Sequence, residues 1–273
     1  MIEACVAFLF GLLIGSFLNV CIYRLPRDLS VVRPRSYCVS CEKPIAWYDN
    51  VPLLSYVALG GRCRACGTRI SPRYPVVELL TATLFFIYIL RFGPTALGLK
   101  YCLLGAMLVA LVFTDLEERI LPDEFTLGGT LLGLALSPFV MVQDITAHAI
   151  FLILGIQASP RVLSVAESVA GAVIPAFFLW FGGWLYERVR HREGMGLGDV
   201  KMMMLVGSFL GLQGALLTLI LGSVVGSIIG LAYVKLTHKE MATYELPFGT
   251  FLGSGAIAVT LSGPKFLEWY GGM

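Results

Sequence analysis

Phe113-Thr114-Asp115-Leu116-Glu117-Glu118-Arg119-Ile120-Leu121-Pro122-Asp123 closes one long apolar run and opens the next. Pro early in a helix and an acid at its positive end are both good start signals, so this stretch reads as two helices meeting at one face of a membrane. Gly196-Leu197-Gly198-Asp199-Val200-Lys201 has the same character, with Asp199 opening another apolar run. A carboxylate costs about 2.5–3.5 kcal/mol at the centre of a membrane helix, so Asp115 and Asp199 are candidates for function.

The composition agrees with a membrane setting. Of the 273 residues, 57% are hydrophobic and 14% charged, where soluble domains average about 25% charged. The mean hydropathy is +0.81. These values predict an all-α polytopic membrane protein. Strand-type alternation is not the dominant pattern, which argues against an outer-membrane barrel. Residues 4–23 are long enough to cross a bilayer. With no basic stretch before them and no obvious cleavage site after them, they read as a retained helix.

The distribution of basic residues orients the chain. Residues 24–75 hold nine of the 20 Lys and Arg: Arg24, Arg27, Arg33, Arg35, Lys43, Arg62, Arg64, Arg69 and Arg73. The positive-inside rule makes this stretch a small cytoplasmic lobe and places the N-terminus outside. Further spans are expected at about 76–92, 96–114, 122–142, 165–186, from 199 onward, 216–236 and 246–261. The total is about eight helices with both termini outside. Sixteen of the 20 basic residues then fall inside, leaving Arg91, Lys100, Arg161 and Lys265 outside. Asp115 and Asp199 come to one depth on one side. The apolar core of the stretch 143–164, residues 145–156, is too short for a clean crossing and is expected to lie in the interface or re-enter. Gly207, Gly211 and Gly214, then Gly222, Gly226 and Gly230, recur at helical spacing and read as packing positions.

Cys38-Val39-Ser40-Cys41 and Cys63-Arg64-Ala65-Cys66 are two C-x2-C pairs separated by 21 residues. Each pair can place two thiolates on one metal, and four thiolates make a closed, structural site suited to zinc. A reducing cytoplasm favours metal over disulfide. A redox pair or idle thiols is the alternative. A lobe of about 50 residues needs such a staple to fold. Cys5, Cys21 and Cys102 lie in apolar runs and read as small buried hydrophobes.

Two carboxyls brought together cannot both ionise easily, so the pair shares a proton. The ionised member can act as base on a water while the protonated one polarises a carbonyl, as in aspartic proteases. Gly196 and Gly198 let a backbone approach the second acid. Either acid alone reads equally well as an interfacial residue. Glu117, Glu118, Asp123 and Glu124 read as solvated or capping groups, and Lys201 and Glu245 as interface anchors. Glu78 could be structural or functional. His148, His191 and His238 form no ligand pattern.

Gly15-Ser16-Phe17-Leu18-Asn19-Val20, followed by Tyr23-Arg24-Leu25-Pro26, resembles the N-terminal signature of the bacterial type IV prepilin peptidases. The two C-x2-C pairs, Thr114-Asp115-Leu116 with Leu121-Pro122-Asp123, the Gly-x-Gly-Asp element at 196–199 and Leu246-Pro247-Phe248-Gly249 follow in that family's order. The resemblance covers nearly the whole chain. It implies a bifunctional enzyme of the inner membrane that cleaves the leaders of type IV prepilins and type II secretion pseudopilins after a glycine, at the cytoplasmic face. The enzyme then methylates the new N-terminal amine with S-adenosylmethionine. The family's catalytic aspartates fall on Asp115 and Asp199, and its metal cysteines on Cys38, Cys41, Cys63 and Cys66. Archaeal preflagellin peptidases and presenilin-type proteases share the Gly-x-Gly-Asp element but generally lack the cysteine lobe, so its presence favours the bacterial branch. The implied division is a first transmembrane helix at 1–23, a tetracysteine lobe at 24–75 and a peptidase core at 76–273. The implied partners are prepilin and pseudopilin substrates and membrane lipid, with no nucleic acid. No glycine-rich nucleotide fingerprint follows a strand, so the residues do not reveal a methyl-donor site.

Two other readings account for part of these features. A transporter or proton relay accounts for Asp115 and Asp199 but not for a metal-clipped lobe. A metal-bearing scaffold of a secretion assembly accounts for the lobe but gives the acids no task. A zinc hydrolase is disfavoured, because four thiolates leave no open coordination position.

Overall fold

A computed structural model describes residues 1–142, 146–153, 155, 157–190, 196–237 and 247–262. His191, His238, Glu245, Leu246 and Lys265, singled out above, lie outside the described residues. The helices are α1 (Ile2–Arg24), α2 (Leu54–Ala58), α3 (Arg73–Phe92), α4 (Ala96–Glu118), α5 (Asp123–Leu136), α6 (Thr146–Ile153), α7 (Pro160–Arg190), α8 (Leu197–Thr237) and α9 (Phe248–Ser262). Short 3-10 turns occupy Leu25–Arg27 and Trp47–Asn50. Among the described residues there is no β-strand, only isolated bridges. In lipid every backbone polar group must find a partner within the protein, and a helix provides this without a second chain segment.

Among the described residues, five helical stretches are long and apolar enough to cross a membrane: Ile2–Arg27, Arg73–Phe92, Ala96–Glu118, Pro160–Arg190 and Leu197–Tyr233. The expected spans that do not qualify have physical reasons. The two expected after residue 199 form one long helix, α8, broken at Gly211, where φ is +76° and ψ −175°. Helices α5 and α9 have 14 and 15 residues, about 21 and 22 Å of helix against a hydrocarbon core of about 30 Å. Helix α6, with eight residues, falls in the stretch expected to be too short to cross.

The chain divides into two compact units, Met1–Ala110 and Leu111–Met273. In the first, α1 packs along α3. A Cβ at Gly11 would lie 2.5 Å from Ala82 Cα, and one at Gly15 2.6 Å from Glu78 Cα, so the two backbones touch where α1 has no side chain. Asn19 Nδ2 donates to Tyr74 O at 3.0 Å across the same seam. At the end of α1, the buried Arg24 donates to Ser30 O at 2.9 Å and to Pro34 O at 2.8 Å, gathering the first turns of the lobe around its guanidinium.

In the second unit α7 packs on α8 through Gly171. A Cβ there would stand 2.5 Å from Gly207 O and 2.5 Å from the Gly211 carbonyl carbon, backbone atoms that cannot move aside. Small residues let helices approach this closely in lipid, where no hydrophobic force drives them together. Gly207 and Gly211 thus pack as expected, and Gly211 also carries the break in α8. Ser168 Oγ donates to Ser208 O at 2.6 Å across the α7–α8 seam. Ser164 Oγ donates to Ser137 O at 2.6 Å and accepts the Val142 N–H at 2.9 Å, satisfying the backbone where α5 ends. Helix α9 packs on the second half of α8, where Gly222 and Gly255 face each other.

Candidate active site and metal centre

The second unit brings three helix ends together. Helix α4 stops just after Asp115: Arg119 takes a left-handed φ of +55° and its N–H donates to Asp115 O at 3.0 Å. Pro122 then turns the chain into α5, with Asp123 and Glu124 in the first turn. Helix α8 begins at Leu197, with Asp199 in its first turn. Helix α9 begins at Phe248, immediately after Pro247. Asp115 lies three residues from the end of α4 and Asp199 two from the start of α8, about 4.5 and 3 Å along their axes. Both acids therefore sit at helix termini rather than at mid-helix, which lowers the cost of keeping a charge there.

The first residues of a helix carry backbone N–H groups with no partner inside the helix. In α9 one of these, the Thr250 N–H, donates to Asp115 Oδ2 at 2.6 Å. The Thr250 hydroxyl donates to the same oxygen at 2.8 Å. Asp115 thus caps α9 from another helix, and the positive end of α9 faces its charge. Asp115 is buried, 5% exposed. Asp199 is half-buried. Leu121 is the spacer beneath them: a Cβ at Gly198 would meet its side chain at 3.2 Å and one at Gly249 at 3.0 Å, and the latter would also stand 3.1 Å from Asp115 Cγ. The Gly-x-Gly-Asp and Pro-Phe-Gly elements therefore let the starts of α8 and α9 pack directly on Leu121 beside the acids. Lys201 Nζ pairs with Asp123 Oδ1 at 2.7 Å, which fixes the starts of α5 and α8 at one level.

A lone interfacial acid needs only one helix end and one partner. Here two acids, 84 positions apart in sequence, are brought to the same Leu121 side chain, through Gly198 next to Asp199 and through Gly249 against Asp115. Thr250 is the residue that sequence reasoning missed. Its signal was present, since it is the first hydroxyl after Leu246-Pro247-Phe248-Gly249, where Pro and Gly precede an apolar run.

The first unit holds the cysteines. Cys38, Cys41, Cys63 and Cys66 place their sulfurs within 4.8 Å of one another, and Cys38 Sγ is 3.8 Å from Cys66 Sγ. A tetrahedron with metal–sulfur bonds of about 2.3 Å has edges of about 3.8 Å, so the four thiols fit one zinc-sized ion. Two matching knuckles build the site. The Cys38 N–H donates to Lys43 O at 3.0 Å and the Glu42 N–H to Cys38 O at 2.8 Å; 25 positions later Cys63 and Thr68, then Gly67 and Cys63, repeat both bonds at 2.9 Å. Each knuckle turns through a left-handed residue after its second cysteine, Glu42 at φ +56° and Gly67 at φ +70°. The Thr68 hydroxyl, with the Thr68 backbone, brings the Cys66 thiol down to about 6, toward the thiolate a metal requires. Arg64, inside the second knuckle, grips Asp49 with Nε to Oδ2 at 2.8 Å and Nη2 to Oδ1 at 2.7 Å, and its hydrogen bonds hold the Asp49 carboxyl below its usual range. Glu78 proves to be an anchor, accepting the Leu53 N–H at 2.8 Å.

The comparisons with known proteins agree with the order of these elements. Residues 9–92 match the bacterial peptidase A24 N-terminal domain, and residues 102–231 match the type IV leader peptidase family. The prepilin leader peptidase/N-methyltransferase of Aeromonas hydrophila is 35% identical over 291 residues, covering 96% of this chain and 92% of the relative. The protein of the same name from Pseudomonas putida is 35% identical over 272 residues, covering 91% and 87%. That from Myxococcus xanthus is 40% identical over 232 residues, covering 85% of this chain and 63% of the relative. No solved structure gives a significant match. Matched along its two halves and across nearly its whole length, the chain belongs to the type IV leader peptidase family.

Proposed function

We propose that the chain is a membrane aspartic endopeptidase and N-methyltransferase acting on prepilins and pseudopilins, with Asp115 and Asp199 as its catalytic pair. The observation that carries this reading is the meeting of the two acids at three helix ends, with Asp115 held by the Thr250 N–H and hydroxyl. One acid of the pair, ionised, takes a proton from a water; the other, protonated, donates to the carbonyl oxygen of the scissile bond after the leader glycine. The water oxygen bonds to that carbonyl carbon, and the amine leaves with a proton from the pair. Gly198 and Gly249 let the starts of α8 and α9 close on Leu121, and α9 on Asp115, which a side chain at either position would prevent. The nitrogen of the new amine then takes the methyl group of S-adenosylmethionine, the co-substrate, as its sulfur–methyl bond breaks, with S-adenosylhomocysteine and a proton released.

The rest of the arrangement follows the charges. With α5, α9 and both halves of α8 (197–210 and 212–237) crossing as short helices through a locally thinned bilayer, eight crossings put both termini outside and both acids at the cytoplasmic face of the inner membrane. Residues 24–75 form the cytoplasmic lobe, and Cys38, Cys41, Cys63 and Cys66 hold a structural zinc there; the metal supplies a cross-link between the knuckles and no chemistry. Family membership leaves the transporter reading without support.

The test uses purified enzyme with a prepilin peptide and S-adenosylmethionine, comparing wild type with Asp115→Asn and Asp199→Asn by mass spectrometry. The expected result is loss of cleavage in both variants, with unchanged thermal unfolding, and a methyl mass shift on the wild-type product. Undiminished cleavage in either variant would refute the pair. Wild-type cleavage with no methyl shift would refute the second activity.

A further inference from the structure

Residues 47–58 carry apolar side chains that no membrane-spanning helix explains. Trp47, Leu54 and Val57 are 74%, 70% and 76% exposed, and Tyr48 is 54% exposed. Leu54 and Val57 are three residues apart and share a face of α2. Trp47 and Tyr48 stand edge to face, their ring centroids 5.7 Å apart. The 3-10 turn and α2 form one body, because Ser55 Oγ donates to Tyr48 O at 3.0 Å and accepts the Val51 N–H at 3.0 Å. An exposed cluster of this kind marks a contact surface.

Its height against the membrane helices is fixed. The Leu53 N–H bonds to Glu78, and Glu78 is the sixth residue of α3, which begins at Arg73. That places the anchor about 7.5 Å along the α3 axis from its first residue. Leu53 holds a left-handed φ of +57° in this arrangement, a conformation that surrounding contacts must sustain in a non-glycine residue. The turn therefore lies beside the first turns of α3, the end of that helix which the proposed orientation brings to the cytoplasmic headgroup layer. The segment between α1 and α3 holds seven basic and three acidic side chains, an excess suited to anionic headgroups.

We propose that residues 47–58 are an interfacial anchor, seated in the headgroup layer of an anionic bilayer with Trp47, Leu54 and Val57 against the acyl boundary. Aromatic rings favour this layer, having an apolar body and a polar edge. The chain enters and leaves the lobe through two membrane helices, so the bilayer is the surface always within reach. Arg64 connects the anchor to the metal centre. Its side chain grips Asp49 in the anchor and lies 5.8 Å from the Tyr48 ring, while its backbone belongs to the second cysteine knuckle. The bilayer surface thereby sets the height of the four-cysteine site.

The test uses the full chain in nanodiscs of phosphatidylethanolamine and phosphatidylglycerol, with Trp180, Trp184 and Trp269 replaced by Phe so that Trp47 alone reports. Lipids brominated near the headgroup end of the acyl chain should quench its emission about twofold, as expected of an indole at the acyl boundary, and aqueous iodide should have little effect. Leu54→Ser with Val57→Ser should weaken the bromine quenching. Quenching by iodide and not by bromine would overturn the proposal. Shielding from both would also overturn it, since a protein surface would then cover the patch. If the triple Phe variant does not fold, a lipid-borne diazirine applied to the wild-type chain gives the same decision: labels on residues 47–57 are expected, and their absence refutes the anchor.

Discussion

Replacing Thr250 by Val tests the link between α9 and the proposed catalytic pair. Oδ2 of Asp115 accepts two bonds, 2.6 Å from the Thr250 N–H and 2.8 Å from its hydroxyl. Valine keeps the shape and the backbone donor and removes only the hydroxyl. A hydrogen bond to a charged partner contributes about 1.5–3 kcal/mol. At about 1.36 kcal/mol per tenfold in rate, kcat for peptide cleavage should fall by about 10- to 150-fold. Thr250 acts through Asp115 and not on the peptide, so KM should stay within about threefold. Thr250→Ser restores a hydroxyl at the same place and should recover most of the rate. Methylation of a pre-cut peptide should be unchanged. The assay is single-turnover and steady-state cleavage of a prepilin peptide in detergent, with thermal unfolding as the control for folding. Wild-type kcat in Thr250→Val would refute the positioning role. An equal loss in Thr250→Ser would show that packing of the methyl group matters, and not the hydrogen bond.

Other outcomes follow from the same geometry. Gly171→Ala should lower stability by about 1–3 kcal/mol, as overpacking does, because its Cβ would meet the Gly207 and Gly211 backbone at 2.5 Å; thermal unfolding reads the change, and an unchanged midpoint would refute the close contact of α7 and α8. Cys38→Ser should lower the zinc content and open residues 36–70 to proteolysis while the membrane helices stay intact; full zinc content in the variant would remove Cys38 from the site. Metal binding requires thiolates, so affinity falls as pH falls. Zinc should be lost progressively on acidification, as protons compete for the thiolates, and Thr68→Val, which removes a hydroxyl that lowers the Cys66 thiol, should shift release to higher pH. Metal analysis after dialysis at falling pH checks the direction.

Much of this protein was legible in its sequence because lipid is a simple solvent. It demands long apolar runs and satisfied backbones, so length and composition alone identify α1, α3, α4, α7 and α8 as helices able to span it. The cysteine spacing likewise announces the metal site, since each C-x2-C turn brings its two sulfurs together locally. The two acids were legible as candidates, because a carboxylate at the edge of an apolar run is costly wherever the chain then folds. Tertiary structure decided the pairings. Asp115 and Thr250 are 135 positions apart, and nothing local in either stretch specifies that the start of α9 docks against the end of α4. Whether a 14-residue or 15-residue apolar helix packs as a short element is set by its neighbours, as with α5 and α9. Glu78 was undecided in sequence because an acid entering an apolar run suits either a site or an anchor, and only the fold brings the Leu53 N–H to it. Sequence records what each segment requires of its solvent, while partners across long separations depend on which helix ends the packed chain brings together.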